Sequence, residues 1–371
     1  MRNRKLFWVT AAIVLMALVC TPLFTIPGRA DGGANHRVRN LNFGVSGGNV
    51  NDISRRFCCS GTLGSLLTAA NGNQYILSNN HVLGLADKAT PGDDVSQPGL
   101  IDNNCQVATV VADFTTAVPL NQNVDAAIAQ LRLGTMDSTG EIEDIGIPSS
   151  VTATPTVGMS VVKSGRTTGF TTGTISSVNT SVSVRYPKSC GANGGTLFTF
   201  TNQVIIGSST FSAGGDSGSL ILTNSGHNPV ALLFAGSSSA TIGNPINEVL
   251  SKLSARLGSP LTFVGVGGGS SASSTFSADT ALQPYTPGRG QMPELPEQAV
   301  LHASQVLEQH RDDLMTRPLV LGVGVGRSDE NDTDAAIIVY VDKTTGARPF
   351  LPQSLGGVKV RVELTDPFVA F

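Results

Sequence analysis

Three short segments carry the residue types that acyl transfer from an amide requires: a hydroxyl, an imidazole to take its proton, and a carboxylate to hold the imidazole in one tautomer. The hydroxyl is Ser217 in Gly214-Gly215-Asp216-Ser217-Gly218-Ser219. Glycines around a serine let the backbone turn tightly and aim N–H groups at a developing oxyanion. The Gly215 and Ser217 N–H groups are the expected donors. The imidazole is His81, closing the apolar run Tyr75-Ile76-Leu77-Ser78 through Asn79 and Asn80. The carboxylate is Asp125, at the mouth of the apolar stretch Ala126-Ala127-Ile128-Ala129.

A Gly-Asp-Ser-Gly string alone is a turn in most proteins. Its weight here comes from the order His81, Asp125, Ser217, which is the chymotrypsin order and differs from those of subtilisin and of the α/β-hydrolases. A further segment, Val161-Val162-Lys163-Ser164-Gly165-Arg166-Thr167-Thr168-Gly169 followed by Gly173-Thr174-Ile175, resembles the opening strand of the second barrel in alpha-lytic protease and the streptogrisins. Gly44 to Gly48, Cys59 to Gly64, Gln97-Pro98-Gly99 and Leu233-Phe234-Ala235-Gly236 resemble the bacterial relatives of the plant narrow-leaf type peptidases. The resemblance covers about residues 43 to 256. It implies a trypsin-like serine peptidase, mainly β, built as two six-stranded Greek-key barrels of the chymotrypsin-like kind.

Carried over residue by residue, the resemblance pairs Arg166 with Asp216, so that a built-in cation supports the oxyanion loop without a newly cleaved N-terminus. The final glycine of the trypsin-like motif is Ser219 here, a packing position at which activity is expected to survive. The specificity pocket falls on Phe211, Ser212 and Ala213 on one side and Phe234, Ala235 and Gly236 on the other. None is acidic, which points to small or apolar residues before the scissile bond. The competing reading is a catalytically silent binding or adhesion protein on the same scaffold, since a fold does not guarantee chemistry.

The elements that must position these residues are legible as short apolar or alternating runs between Gly, Asn and Asp from residue 44 to 266, the pattern of an all-β barrel protein. Strands are expected at 61–69, 74–78, 107–114, 126–131, 160–163, 173–177, 181–186, 203–207, 219–222 and 229–234, with a closing amphipathic helix at 245–256. Residues 267–293, rich in Gly, Ser and Pro, form a linker. Residues 294–371 give one helix and three strands, at 320–325, 335–341 and 358–364, a small α+β module. The run Gly322-Val323-Gly324-Val325-Gly326 lacks the helix start and Lys-Ser/Thr of a phosphate loop and suits a strand. The module resembles one that the narrow-leaf relatives often carry before the peptidase, whereas here it follows it.

Charged residues make up only 14% of the chain and the net charge is -3, so no polyanionic partner is indicated. The expected partner is a polypeptide substrate, not a nucleic acid. Arg2, Arg4 and Lys5 precede the apolar run Leu6 to Phe24 and then Gly28-Arg29-Ala30, a signal peptide over 1–30 with cleavage after Ala30 and a leader over 31–43. The apolar run is also long enough to remain as an uncleaved anchor, the one route to a membrane. Export, to the exterior or the periplasm, suits the four cysteines beyond it, Cys58, Cys59, Cys105 and Cys190. They allow three pairings, or could stay reduced and buried; adjacent Cys58 and Cys59 point to opposite faces if on a strand and would then seek distant partners. Their spacing matches no zinc motif, and the chemistry requires no metal or cofactor. The remaining histidines, His36, His227, His302 and His310, read as solvated surface.

Overall fold

The computed structural model describes residues 35–54, 57–192, 194–267, 293–329 and 333–371. The signal segment with its cleavage site, the start of the leader and nearly all of the linker lie outside the described residues.

The first sheet is antiparallel, in the order Leu261–Phe263, Ser65–Ala69, Gln74–Ser78, Ala127–Leu131, Thr109–Ala117, Asp94–Gln97, Val45–Asn49, Gly61–Leu63. Gly61–Leu63 at one end of this order and Ser65–Ala69, next to its other end, are separated in the chain by Gly64 alone. A sheet with that connection must curl on itself. The two segments act as one strand broken at a corner, and with Leu261–Phe263 set aside as an added strand paired to Ser65–Ala69 the barrel has six. Only glycine serves at that corner, because an added Cβ would run into the carbonyl oxygen of Gly218 from the second barrel. Val45, Leu63, Leu66, Ile76, Leu77, Val95, Ile128 and Leu131 are all buried in the apolar core built on this sheet.

The second barrel runs Gly195–Ile206, Thr241–Pro245, Pro229–Gly236, Leu220–Thr223, Ser160–Lys163, Thr171–Pro187, and closes because the last strand pairs back onto the first. The fold is thus mainly β, two six-stranded barrels in the chymotrypsin-like arrangement, with a small helix-containing C-terminal part. The helix Ile246–Leu257 buries Ile246, Val249 and Leu253 in the first barrel's core. Gly258 ends it in the left-handed region, φ 72°, a C-terminal stop that glycine adopts without steric cost.

Sequence periodicity suggests two strands at 173–177 and 181–186, but the structure has one, Thr171–Pro187. Asn179 sits at its irregularity with φ 50°, a conformation asparagine tolerates, so the strand bends rather than stops. That extra length has a structural use. Val320–Arg327 pairs antiparallel with it, placing Gly322 opposite Val182 and Gly326 opposite Ser177. Ala335–Asp342 and Val358–Thr365 continue outward, the second of these parallel to the first. The helix Glu297–Thr316 covers these strands through Ala303, Leu307 and Leu314. A final short strand, Phe368–Ala370, has no counterpart among the elements expected from sequence; it lies between Pro229–Gly236 and Thr171–Pro187.

Cys58 bonds Cys105 and Cys59 bonds Cys190. The second bridge joins the loop before the first barrel's Gly61 to the tip of the hairpin formed by Thr171–Pro187 and Gly195–Ile206. Among the described residues the only cluster of metal-ligating side chains is Asp52 with Cys59 and Cys190, and its two sulfurs are spent in that bond.

Candidate active site

His81 lies in the single helical turn Asn80–Leu83, directly after the strand Gln74–Ser78. Asp125 lies two residues before the strand Ala127–Leu131, which pairs with Gln74–Ser78, Ser78 opposite Ala127. This register delivers the carboxylate to the imidazole. Asp125 Oδ2 is 2.5 Å from His81 Nδ1, and Oδ1 accepts the His81 backbone N–H at 3.1 Å. Asp125 is fully buried, and its main chain is pinned by Asn79 Nδ2 at its carbonyl and Asn244 Oδ1 at its N–H.

Sequence reasoning missed Tyr186. Its hydroxyl donates to Asp125 Oδ2 at 2.7 Å, and its ring stands edge-on to the imidazole with centroids 5.9 Å apart. Burial and the adjacent carboxylate push the phenol well above its ordinary range, so it acts as a fixed donor. The alternation Val182, Val184, Tyr186, all buried, was the available signal that this tyrosine points inward.

Burial opposes charge on His81, but Asp125's charge and hydrogen bond, a hydrogen bond to the Phe371 carbonyl, and the more distant Asp52 outweigh it, raising the imidazole above its ordinary value. Burial likewise pushes Asp52 up to about 6, against the pull of His81 and Lys88. The two groups sense each other, and both are shifted upward.

Ser217 is buried between two glycines held at left-handed torsions, Gly215 at φ 97° and Gly218 at φ 94°. These conformations would strain any other residue. Ser217 Oγ donates its one proton to the main-chain oxygen of Phe371 at 2.8 Å and also lies 3.2 Å from the Phe234 carbonyl oxygen. His81 Nε2 is 2.9 Å from the same Phe371 oxygen. The hydroxyl and the imidazole thus converge on one atom. Among the described residues, the Gly215 and Ser217 N–H groups donate to no protein acceptor.

Arg166 does not pair with Asp216. Its guanidinium makes a two-pronged contact with Asp102, Nε to Oδ2 at 2.5 Å and Nη2 to Oδ1 at 2.7 Å, linking the second barrel to a loop of the first. Asp216 instead meets the fully buried Lys163, with Nζ 3.5 Å from Oδ2. It also accepts from Thr167 N, Thr168 N, Thr168 Oγ1 and Ala213 N. The physical reason is the turn after the strand Ser160–Lys163. Lys163, the last strand residue, points into the loop's interior, while the turn beyond it aims the N–H groups of residues 167 and 168 at Asp216. That enclosure leaves the broad guanidinium to go outward, where Asp102 offers it both oxygens. Burial pulls the Lys163 ammonium below its ordinary value while Asp216 holds it up.

Ser219 donates its hydroxyl to the Asp216 carbonyl at 2.6 Å, tying the loop to itself. Of the expected pocket residues, Phe211 is fully buried in the second barrel's core, and Ser212 Oγ is 2.5 Å from Thr241 Oγ1. Ala213 caps Asp216 through its N–H. The Phe234 ring turns inward onto Phe200, with centroids 4.9 Å apart, leaving its carbonyl at the cleft. Ala235 and Gly236 line the cleft as a strand edge paired with Ala370 and Val369. His36 is also placed differently from the surface position expected: it is buried, with Nδ1 2.8 Å from Gly44 O and Nε2 3.0 Å from Asp144.

No curated protein sequence matches the chain. The similar solved structures are bacterial serine proteases of the trypsin/chymotrypsin fold. A glutamic-acid-specific serine protease is 23% identical over 60% of this chain and 100% of that one, with a TM-score of 0.42. A Cellulomonas bogoriensis chymotrypsin is 19% identical over 61% and 100%, with a TM-score of 0.40. Thermobifida fusca protease A is 20% identical over 60% and 99%, with a TM-score of 0.39. In sequence, residues 100–243 match the family profile of the Nal1 C-terminal domain.

Proposed function

We propose that the protein is an exported serine endopeptidase in which Ser217 is the nucleophile, His81 the general base and Asp125 the group that orients it. The observation that carries this reading is the convergence of Ser217 Oγ and His81 Nε2 on a single main-chain oxygen, that of Phe371, at 2.8 and 2.9 Å, with Asp125 held on the far side of the imidazole at 2.5 Å. In the proposed reaction His81 takes the Ser217 proton as Oγ attacks the carbonyl carbon. The oxyanion is received by the Gly215 and Ser217 N–H groups, and His81 then hands the proton to the departing amine. Water repeats the sequence on the acyl-enzyme.

Lys163, Thr167, Thr168 and Ala213 serve by holding Asp216, and through it the loop that bears both oxyanion donors. The substrate is a polypeptide, read at an uncharged cleft formed by Ala235 and Gly236, with small or apolar residues on the acyl side. Export follows from the reading of residues 1–30 as a signal, and the two disulfides are compatible with it. The test is covalent labelling of Ser217 by a fluorophosphonate carried to completion, absent in Ser217→Ala. A folded chain that takes no label would leave only a silent scaffold.

A further inference from the structure

The strand Phe368–Ala370 and the residue after it lie in the cleft as an extended peptide. Ala370 is opposite Ala235 and Val369 opposite Gly236 in antiparallel register. The Phe371 N–H donates to Phe234 O at 3.3 Å. Its carbonyl oxygen takes the hydrogen bonds of Ser217 Oγ and His81 Nε2. Its ring crosses Gly236, where an added Cβ would strike the ring's Cζ, and packs against the apolar cluster containing Ile206 and Phe211. On the other side the segment pairs in parallel with the long strand, Phe368 opposite Val184 and Val369 opposite Arg185.

The segment is anchored as well as paired. Phe368 is buried edge-on to Tyr340, with centroids 6.0 Å apart. Thr365 Oγ1 is 2.6 Å from Ser237 Oγ, and Asp366 pairs with Lys343 at 3.1 Å. A carbonyl oxygen only accepts, so Nε2 must carry a proton here while Nδ1 faces the Asp125 carboxylate. That protonation state cannot take the Ser217 proton.

We propose that residues 368–371 occupy the cleft in cis as a tethered competitive inhibitor, and that the preferred acyl-side residue of a substrate is the one they present, an aromatic side chain over Gly236. This rests on the peptidase reading and narrows it. Peptides that displace the segment share its form: an extended strand that pairs with Ala235 and Gly236 and ends in Phe at the reacting carbonyl. A short tether gives an effective concentration on the order of 1 mM, so a free-peptide inhibition constant about a tenth of that would leave the full chain about tenfold slower than a chain with the segment displaced.

The test compares the full chain with Phe371→Glu, which places a charge against the apolar cluster, and with Phe371→Ala as a milder second variant. Expected are about tenfold faster fluorophosphonate labelling of Ser217 and about tenfold higher kcat/KM on peptides with Phe before the cleaved bond. Peptides with Arg at that position should be cut far more slowly. Labelling rates equal to those of the full chain in both folded variants would overturn the proposal. A second measurement does not depend on chemistry: a fluorescent peptide of residues 365–371 binding to the Ser217→Ala/Phe371→Glu chain by anisotropy. Saturable binding competed by unlabelled peptide supports the cleft assignment even if no variant labels at Ser217, which would sink only the peptidase reading. Absence of binding overturns the assignment even if Ser217 is reactive.

Discussion

Replacing Lys163 by Met tests how the Asp216 loop is held, because it removes the ammonium and leaves a fully buried carboxylate behind. Breaking a buried pair by deleting one member costs about 3–5 kcal/mol, since the surviving charge stays uncompensated. Asp216 keeps four hydrogen-bond donors from residues 167, 168 and 213, so the expected loss lies at the low end, about 3 kcal/mol by urea unfolding. In Lys163→Met/Asp216→Asn the carboxylate is gone too, so the double variant should lose less than the sum of the single variants, with a coupling on the order of 3 kcal/mol. The same cycle with Arg166→Met and Asp216→Asn should be nearly additive, within about 1 kcal/mol, because the guanidinium is bound to Asp102. A larger coupling for Arg166 than for Lys163 would refute the assignment and restore the pairing implied by the sequence motif.

Tyr186→Phe removes one donor from the buried Asp125 and should cost about 1.5–3 kcal/mol of stability, the range for hydrogen bonds to charged groups. It should also lower kcat/KM and move its acid limb to higher pH, because Asp125 then directs more of its charge at the imidazolium. A base must be neutral to act, so the raised His81 value places that limb above pH 6.5, the ordinary histidine value, with activity lost as pH falls through it. Asp52→Asn removes a charge that favours the imidazolium and should shift the limb downward by a fraction of a unit. Because Asp52 titrates near 6 in the fold and near 3.9 when unfolded, the unfolded state binds fewer protons between those values. Wild-type stability therefore falls as pH rises through that window, and Asp52→Asn should gain on the order of 1 kcal/mol at pH 7.5, a gain that shrinks toward pH 4. Replacing Cys59 and Cys190 by Ser should cost about 3–5 kcal/mol by opening a long loop of the denatured chain, read as a lower midpoint in thermal unfolding.

The residues of the proposed chemistry were legible in sequence because each sits where a short apolar run meets a turn, and the backbone of a barrel strand fixes what its end presents. Their supports were harder to find. Lys163 lies inside the motif that carried the resemblance, yet a lysine at the end of a strand reads as solvated; only the fold shows that it points into the loop that Asp216 closes. Tyr186 shares the inward face of its strand with Val182 and Val184, which the alternation does signal, but that this face meets Asp125 follows only from pairing with residues 196 and beyond. The bend at Asn179 split one strand into two on paper, because a residue in the left-handed region interrupts the pattern without ending the ladder. The strand Phe368–Ala370 is too short to show a period at all. It exists because two unpaired edges, Ala235–Gly236 and Val184–Arg185, face the same gap.

That gap sets an order of assembly. The partners of Val369 are Gly236 and Arg185, each well over a hundred positions away in sequence, so neither ladder gains anything until the second barrel has closed around both strands. Contacts of such separation carry a loop-closure cost before they return any stabilisation, and chains dominated by them reach the native state slowly. In a refolding experiment followed by hydrogen exchange, protection should therefore appear in the barrel strands Gly195–Ile206 and Pro229–Gly236 first, and at Val369 to Phe371 last. Until the segment inserts, the barrels would stand complete with an open cleft, so each molecule would pass through an interval of competence before closing on itself.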